Sequence, residues 1–250
     1  MEKPIKTIWA AKMEAGVLDI YLYDNIVPDG VNFETGETIQ SATSAATVQK
    51  MIQDAGDVSA INVYINSYGG DVKEGDGIYS QLKRAKAVKT AYIDGFACSI
   101  ASVIPMACDK VVISVNGAMM IHAASTIAWG NEDDLRNAAD MLHTLTEAAG
   151  KSYSEKAGEK LDPKLLASWL DPKNKEQWLT AEQCLQYGLV DEIAEQRQTT
   201  RQIVTQRFAE AQAASIAMMA AQHIPQPPEQ FKDQETNAER LMAAFRKNLT

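Results

Sequence analysis

Apolar and polar positions change period several times along this chain, and each change marks an element. From Val17 to Val27 the residues Leu18, Ile20 and Leu22 alternate with Asp19, Tyr21 and Tyr23, a period of two that predicts a half-buried strand. Pro28-Asp29-Gly30 ends it as a turn, and Gly30 to Gln40 is polar and loop-like. Ser44 to Ala55 then sets Ala45, Val48, Met51 and Ile52 on one helical face, with Gly56 as the stop. Ala60 to Ile65 is the next strand. Val72 to Lys86 has helical spacing through Ile78, Leu82 and Ala85, and Val88 to Ile93 is a β-rich run leading into a tight turn at Gly95. Ile5 to Ala10 adds a short strand candidate at the start.

After the Gly95 turn an apolar stretch, Ile100 to Ala107, has helical spacing. Lys110 to Val115 and Ala118 to Ala123 are strand candidates hinged at Asn116-Gly117, a common turn pair. Glu132 to Lys156 is a long helical pattern carried by Leu135, Ala138, Ala139, Leu142, Leu145 and Ala149, with Gly150 weakening its middle. Asp162-Pro163 opens another helix with proline at its first position. Thr180 to Tyr187 is a short helix with a Thr180/Gln183 capping box and Gly188 as its stop, and Leu189 to Ile193 closes the pattern as a strand. Strands alternating with helices predict an α/β fold with a largely parallel sheet.

The character changes near Gln196. Gln198 to Ala221 is rich in Gln, Ala and Met, Pro225-Gln226-Pro227-Pro228 is a stiff spacer, and Asn237 to Lys247 is a short amphipathic helix candidate. The expected division is a folded domain over residues 1–198 and a C-terminal extension over 199–250, partly helical or mobile.

Composition removes several function classes. The net charge is −9 with a pI near 4.9, which argues against nucleic-acid binding through a basic surface. Three cysteines, Cys98, Cys108 and Cys184, are widely spaced without a CxxC pair, so neither a disulfide framework nor a zinc site is expected. No apolar run reaches the roughly 18 residues of a membrane span. The charged start, Met1 to Lys6, lacks the apolar core of a secretory signal. The expected location is the cytoplasm, without membrane or nucleic-acid partner, and no metal or cofactor is expected.

Three features carry candidate chemistry. Ser99 stands between a strand and an apolar helix, where unpaired N–H groups and the positive dipole end favour developing negative charge. The same position suits a simple N-cap. His122 ends the hydrophobic run Ala118 to Ile121, where a sheet edge can present it to a cleft; a structural histidine is the alternative. Gly69-Gly70 directly follows a strand, and paired glycines let backbone N–H groups turn toward a ligand. An acid is needed to orient a catalytic histidine, and Asp162, Asp171, Glu176 and Asp191 are candidates that spacing alone does not separate. The G-x-S-x-G elbow is absent, since Ala101 stands where its second glycine belongs. Cys98 or Cys108 as nucleophile is disfavoured by apolar surroundings, and a Ser-Lys dyad stays open.

Four stretches together resemble the Clp protease proteolytic subunit (ClpP) family of serine peptidases, and especially its phage and prophage relatives associated with head maturation. They are Ile65-Asn66-Ser67-Tyr68-Gly69-Gly70, Gly95-Phe96-Ala97-Cys98-Ser99-Ile100, Met119-Met120-Ile121-His122, and Trp178 to Gln183 with Tyr187 to Asp191. The resemblance runs from about Ala60 to Ile193, with a vaguer continuation back to about Val17. A proline often stands in the family at the place of Tyr68. The resemblance implies a ClpP/crotonase-like fold, Ser99 as nucleophile and His122 as base. The family's aspartate stands two residues before the aromatic matched by Trp178, a place held here by Glu176, with Asp171 as reserve. The same matching implies Gly70 and Ile100 as oxyanion N–H donors.

Further implications are protein substrates, homo-oligomeric stacked rings with the strand and helix after His122, about Ala123 to Ala149, forming ring-to-ring contacts, and an ATP-driven unfoldase or phage scaffold and capsid proteins as partners. Two other classes compete. A crotonase-type acyl-CoA enzyme shares the architecture but lacks the Ser/His pair, and a non-catalytic assembly subunit would work through the extension.

Overall fold

The computed structural model describes residues 11–14 and 16–194; the strand expected at Ile5 to Ala10 and the extension 199–250 lie outside them. The elements in chain order are β1 (Ala11–Glu14), β2 (Val17–Leu22), β3 (Gly30–Val31), β4 (Thr38–Ile39), α1 (Ala45–Ala55), β5 (Ala60–Ser67), α2 (Val72–Arg84) and β6 (Val88–Cys98). They continue as α3 (Ile100–Val103), β7 (Lys110–Ile113), β8 (Ala118–Ile121), α4 (Glu132–Ala157), α5 (Pro163–Trp169), β9 (Gln177–Thr180), α6 (Ala181–Gln186) and β10 (Glu192–Ile193). The polar stretch expected to be a loop holds the small β3–β4 hairpin.

One sheet runs in the order β1-β2-β5-β6-β7-β10. β2, β5, β6, β7 and β10 are parallel neighbours, and β1 is antiparallel to β2. The mostly parallel α/β expectation holds. The period of two seen in β2 is repeated across the sheet. Leu18, Ile20 and Leu22, then Ile61, Val63 and Ile65, then Ala91 and Ile93 point into one core with Val48 of α1 and Ile78 and Leu82 of α2. Each Val, Leu or Ile side chain among them, removed from water, contributes about 1.5–3 kcal/mol. On the opposite face Tyr21, Tyr64 and Tyr92 lie in register and stack, with ring centroids 4.7 and 5.0 Å apart.

Local signals explain most helix ends. The Ser44 hydroxyl accepts from Thr47 N and Gly56 ends α1; Asp162 caps α5 with proline at its first turn; Thr180 and Gln183 form the capping box of α6. Gly150 does not interrupt α4, which runs unbroken to Ala157. A carboxylate from elsewhere also helps, since buried Glu74 of α2 accepts from Ala45 N at the start of α1.

Three expectations are corrected. No tight turn occurs at Gly95: β6 continues to Cys98, with its pairing to β5 shifting register between Ile65 and Ser67. Asn66 Oδ1 accepts from Phe96 N at that irregularity, and a side chain at Gly95 would stand 2.6 Å from it. The apolar stretch after Ser99 is α3 followed by a 3-10 turn over Ile104–Ala107, tightened where Pro105 lacks an N–H. Ala123 to Gly130 forms no strand; it leads as coil into α4.

β7 and β8 both pair with the same edge of β6, β7 at Thr90–Ile93 and β8 at Phe96–Cys98. The turn between them, closed by Gly117 N donating to Ser114 O at 2.8 Å, therefore only offsets the chain along that edge. β9, a strand the sequence pattern does not announce, pairs antiparallel with β8.

Candidate active site

Parallel pairing sets the site. Ala97 and Cys98 of β6 lie opposite Met119 and Met120 of β8, so the residues following both strands emerge side by side at their carboxyl ends. Those residues carry Ser99 and His122. The Ser99 Oγ and His122 Nε2 stand 2.7 Å apart, and with Nε2 unprotonated the hydroxyl donates to the ring. The N-cap reading of Ser99 falls away, because its side chain makes no bond to the α3 backbone.

Ser99 has φ 53°, the one non-glycine residue with positive φ among the described residues. Several bonds hold it there. Ser99 N donates to Met120 O at 2.8 Å, and Ser99 O accepts from Ser102 N at 2.9 Å and Ser102 Oγ at 2.6 Å. Such strain persists only where the surroundings over-determine it, and it aims the hydroxyl away from the helix start toward His122.

The glycine loop closes on the same turn. Gly69 and Gly70 have φ of 98° and 144°, and a Cβ on Gly70 would stand 2.2 Å from Ile26 O. Ile26 pins the loop from outside, donating to Gly69 O at 2.8 Å and accepting from Asp71 N at 2.7 Å. The Gly70 N–H binds no acceptor among the described residues, and the Ile100 N–H, first in α3, has no intrahelical acceptor. Two free backbone donors thus flank the Ser99 turn, as an oxyanion requires.

The four acid candidates separate. Asp162 caps α5, and Asp191 accepts from Val111 N and Lys156 Nζ, both at 2.6 Å. Asp171 closes its own turn, Oδ1 accepting from Lys173 N at 2.9 Å. Glu176 faces an open cleft of about 580 Å³ that His122 also lines, with Ser125, Asn174, Lys175 and Trp178. Its carboxylate accepts from Trp178 Nε1 at 3.3 Å, and among the described residues no carboxylate bonds to His122. The fold therefore brings Ser99, His122, Gly70 and Ile100 together and puts Glu176 on the histidine's cleft, while the Asp171 carboxylate is engaged in its own turn.

The rival nucleophiles lose ground. Burial pushes the Cys98 thiol up to about 11, helped by the negative charge of Glu176, and burial raises Cys108 and Cys184 to about 12. Buried Lys89 is held by Asp109 and the carbonyls of Ala85 and Ala87, far along the sheet from Ser99. Among the described residues no group of three or more His, Cys, Asp or Glu is placed to hold a metal, and no helix is long and apolar enough to cross a membrane.

Sequence reasoning passed over two contributors. Ser102, on the helical turn after Ser99, is buried in the bonding around it, and its Oγ meets Tyr153 Oη at 2.7 Å. Tyr153 extends by steps of four the α4 stripe that includes Leu145 and Ala149, so the helical period held a signal for it.

The profile of the Clp protease family matches residues 21–197, most of the chain. The chain belongs to the Clp protease family. Similar curated proteins are ATP-dependent Clp protease proteolytic subunits. The one from Deinococcus radiodurans is 28% identical over 184 residues, covering 72% of this chain and 87% of its own length. The one from Bacteroides fragilis is 25% identical over 183 residues, covering 72% and 86%. Among solved structures, a ClpP1 mutant from Listeria monocytogenes superposes with a TM-score of 0.56 at 23% identity, over 72% of this chain and 92% of that one, which establishes the shared fold. Membership makes the chain a peptidase relative. A hydroxyl bonded to an imidazole beside two free backbone donors is the arrangement that acyl transfer needs.

Proposed function

We propose that this chain is a serine endopeptidase in which Ser99 attacks a peptide carbonyl and His122 takes its proton. The 2.7 Å contact between Ser99 Oγ and His122 Nε2 carries the reading. The developing oxyanion sits between the N–H groups of Gly70 and Ile100, His122 returns the proton to the leaving amine, and water releases the acyl-enzyme. Glu176 acts as the third member, turning from Trp178 across the shared cleft to orient His122. Its side chain is one methylene longer than the family's aspartate, which suits the longer reach.

The subunits assemble as stacked rings enclosing a chamber, and exposed Ile127, Trp129, Leu135 and Met141 in the segment after His122 suit contacts between copies. Protein substrates reach that chamber in the cytoplasm with the help of an ATP-driven unfoldase, in line with the ATP-dependent designation of the relatives. The finer reading, processing of phage scaffold or capsid protein, rests on the likeness of the four sequence motifs to phage and prophage members. A crotonase-type acyl-CoA enzyme is disfavoured, because it would leave the Ser99–His122 pair without a task.

The test is intact-mass analysis after a fluorophosphonate probe. One adduct on the native chain and none on Ser99→Ala supports the peptidase; an assembled native chain that takes no adduct overturns it. Sedimentation showing only monomer would overturn the ring assembly.

A further inference from the structure

Ser102 lies three residues after the nucleophile, and a serine in a helix can turn its hydroxyl back onto the preceding turn. Its Oγ has three oxygen neighbours: Ser99 O at 2.6 Å, Met120 O at 3.3 Å and Tyr153 Oη at 2.7 Å. A hydroxyl has one proton, and a carbonyl only accepts. The Ser102 proton therefore points to a carbonyl, the nearer being that of Ser99, and the Tyr153 phenol donates into Ser102. The direction of the chain, Tyr153 to Ser102 to Ser99, follows without sight of any hydrogen. Ser102 is 0% exposed and Tyr153 2% exposed, so neither has solvent as an alternative partner.

Both ends of this chain matter to the site. Ser99 holds its positive φ only through its surroundings, and Met120 O, two residues before His122, accepts from Ser99 N at 2.8 Å and lies 3.3 Å from Ser102 Oγ. One buried hydroxyl thus ties the nucleophile turn to the strand that carries the base. Its own orientation is set from α4, in which Tyr153 and Ala157 are the buried residues.

We propose that Tyr153 and Ser102 form a positioning pair that holds Ser99 in register with His122 and so couples the placement of α4 to the rate of acyl transfer. The proposal rests on the serine-peptidase reading. Ser102 touches the nucleophile's backbone and Tyr153 acts through Ser102; neither meets substrate.

The test measures kcat and KM on a short fluorogenic peptide, the rate of fluorophosphonate labelling, and the melting temperature. It uses the full chain as native, Tyr153→Phe, Ser102→Ala and the double variant. Tyr153→Phe removes one oxygen and keeps the packing, so it carries the test even where Ser102→Ala folds poorly. The expected result is a fall in kcat of about threefold to tenfold for Tyr153→Phe and about tenfold to a hundredfold for Ser102→Ala, with KM within about twofold. The double variant matches Ser102→Ala in kcat, because the two act as one chain. Its melting temperature rises above that of Ser102→Ala, because no lone buried phenol hydroxyl remains. A kcat that recovers in step with melting temperature would mark the pair as merely structural and overturn the proposal, as would single variants within twofold of native. A native chain that neither hydrolyses peptide nor takes the probe ends the peptidase reading and this inference with it. A native chain that does both, beside unaffected variants, ends this inference alone.

Discussion

Gly69 packs against Ser99 so closely that a Cβ at position 69 would stand 2.8 Å from the serine's Cβ and 2.7 Å from Cys98 O. Its φ of 98° adds a conformation that L side chains rarely adopt. Gly69→Ala is therefore expected to lose activity by about tenfold or more through a displaced nucleophile, and stability by about 1–3 kcal/mol. Probe labelling and thermal melting on the same preparation check both. An alanine variant that labels at the native rate would show the loop to have slack the distances do not suggest.

Gly75 raises a contest between two effects. Alanine at a helix interior is favoured over glycine by about 1 kcal/mol. At this position, however, its Cβ would stand 2.2 Å from Ile100 Cγ1. Overpacking of that kind costs about 1–3 kcal/mol, so the variant is expected to melt lower despite the better propensity. Because Ile100 supplies a proposed oxyanion N–H, kcat should fall as well. A raised melting temperature would mean that Ile100 moves aside freely.

The two acids give opposite expectations. Glu176→Gln keeps the shape but removes the charge facing the His122 cleft, and should lower kcat by about tenfold to a hundredfold with KM little changed. Asp171→Asn keeps an oxygen for the Lys173 N–H and should leave kcat within about twofold. Peptide hydrolysis by the two variants side by side decides the assignment; a larger loss at Asp171 reverses it.

The thiols predict a pH dependence of stability. Cys98, Cys108 and Cys184 are held up at about 11, 12 and 12 by burial, against 9.0 for an ordinary thiol. Each is neutral while protonated, so the folded state keeps its proton to higher pH than the unfolded chain. The corresponding stability is whole below pH 9 and is lost as pH rises through the folded values. Denaturant midpoints should fall between pH 9 and 11 in the native chain, and less steeply in Cys108→Ala. The same burial predicts that iodoacetamide at neutral pH modifies the unfolded chain and spares the folded one. Rapid alkylation of folded Cys98 would reopen the case for a thiol nucleophile.

Much of the fold was legible because its signals are local. The alternation of Leu18, Ile20 and Leu22 announces which face of β2 is buried. Ser44 with Gly56, Asp162 with Pro163, and Thr180 with Gln183 mark helix ends through bonds that close within a few residues. The failures fall where a distant partner overrides a local preference. Gly95 has the chemistry of a turn, yet β6 runs through it because β5 on one side and β8 on the other supply ladder partners. Gln177–Thr180 is short and partly polar, and becomes a strand because β8 offers it an edge.

The site divides along the same line. The residue types, their order and the motif resemblance by themselves determined that Ser99, His122 and a glycine pair were the groups to watch, since nucleophile, base and flexible backbone are properties of side chains. Only the tertiary structure decided that Ser99 is no N-cap, that Asp162 and Asp191 are engaged elsewhere, and that Ser102 and Tyr153 belong to the surroundings of the nucleophile. Those facts depend on β6 and β8 ending side by side and on α4 returning over the turn. Contacts between residues 23 and 51 positions apart are set by the packing of the whole sheet and its helices, which no local stretch encodes.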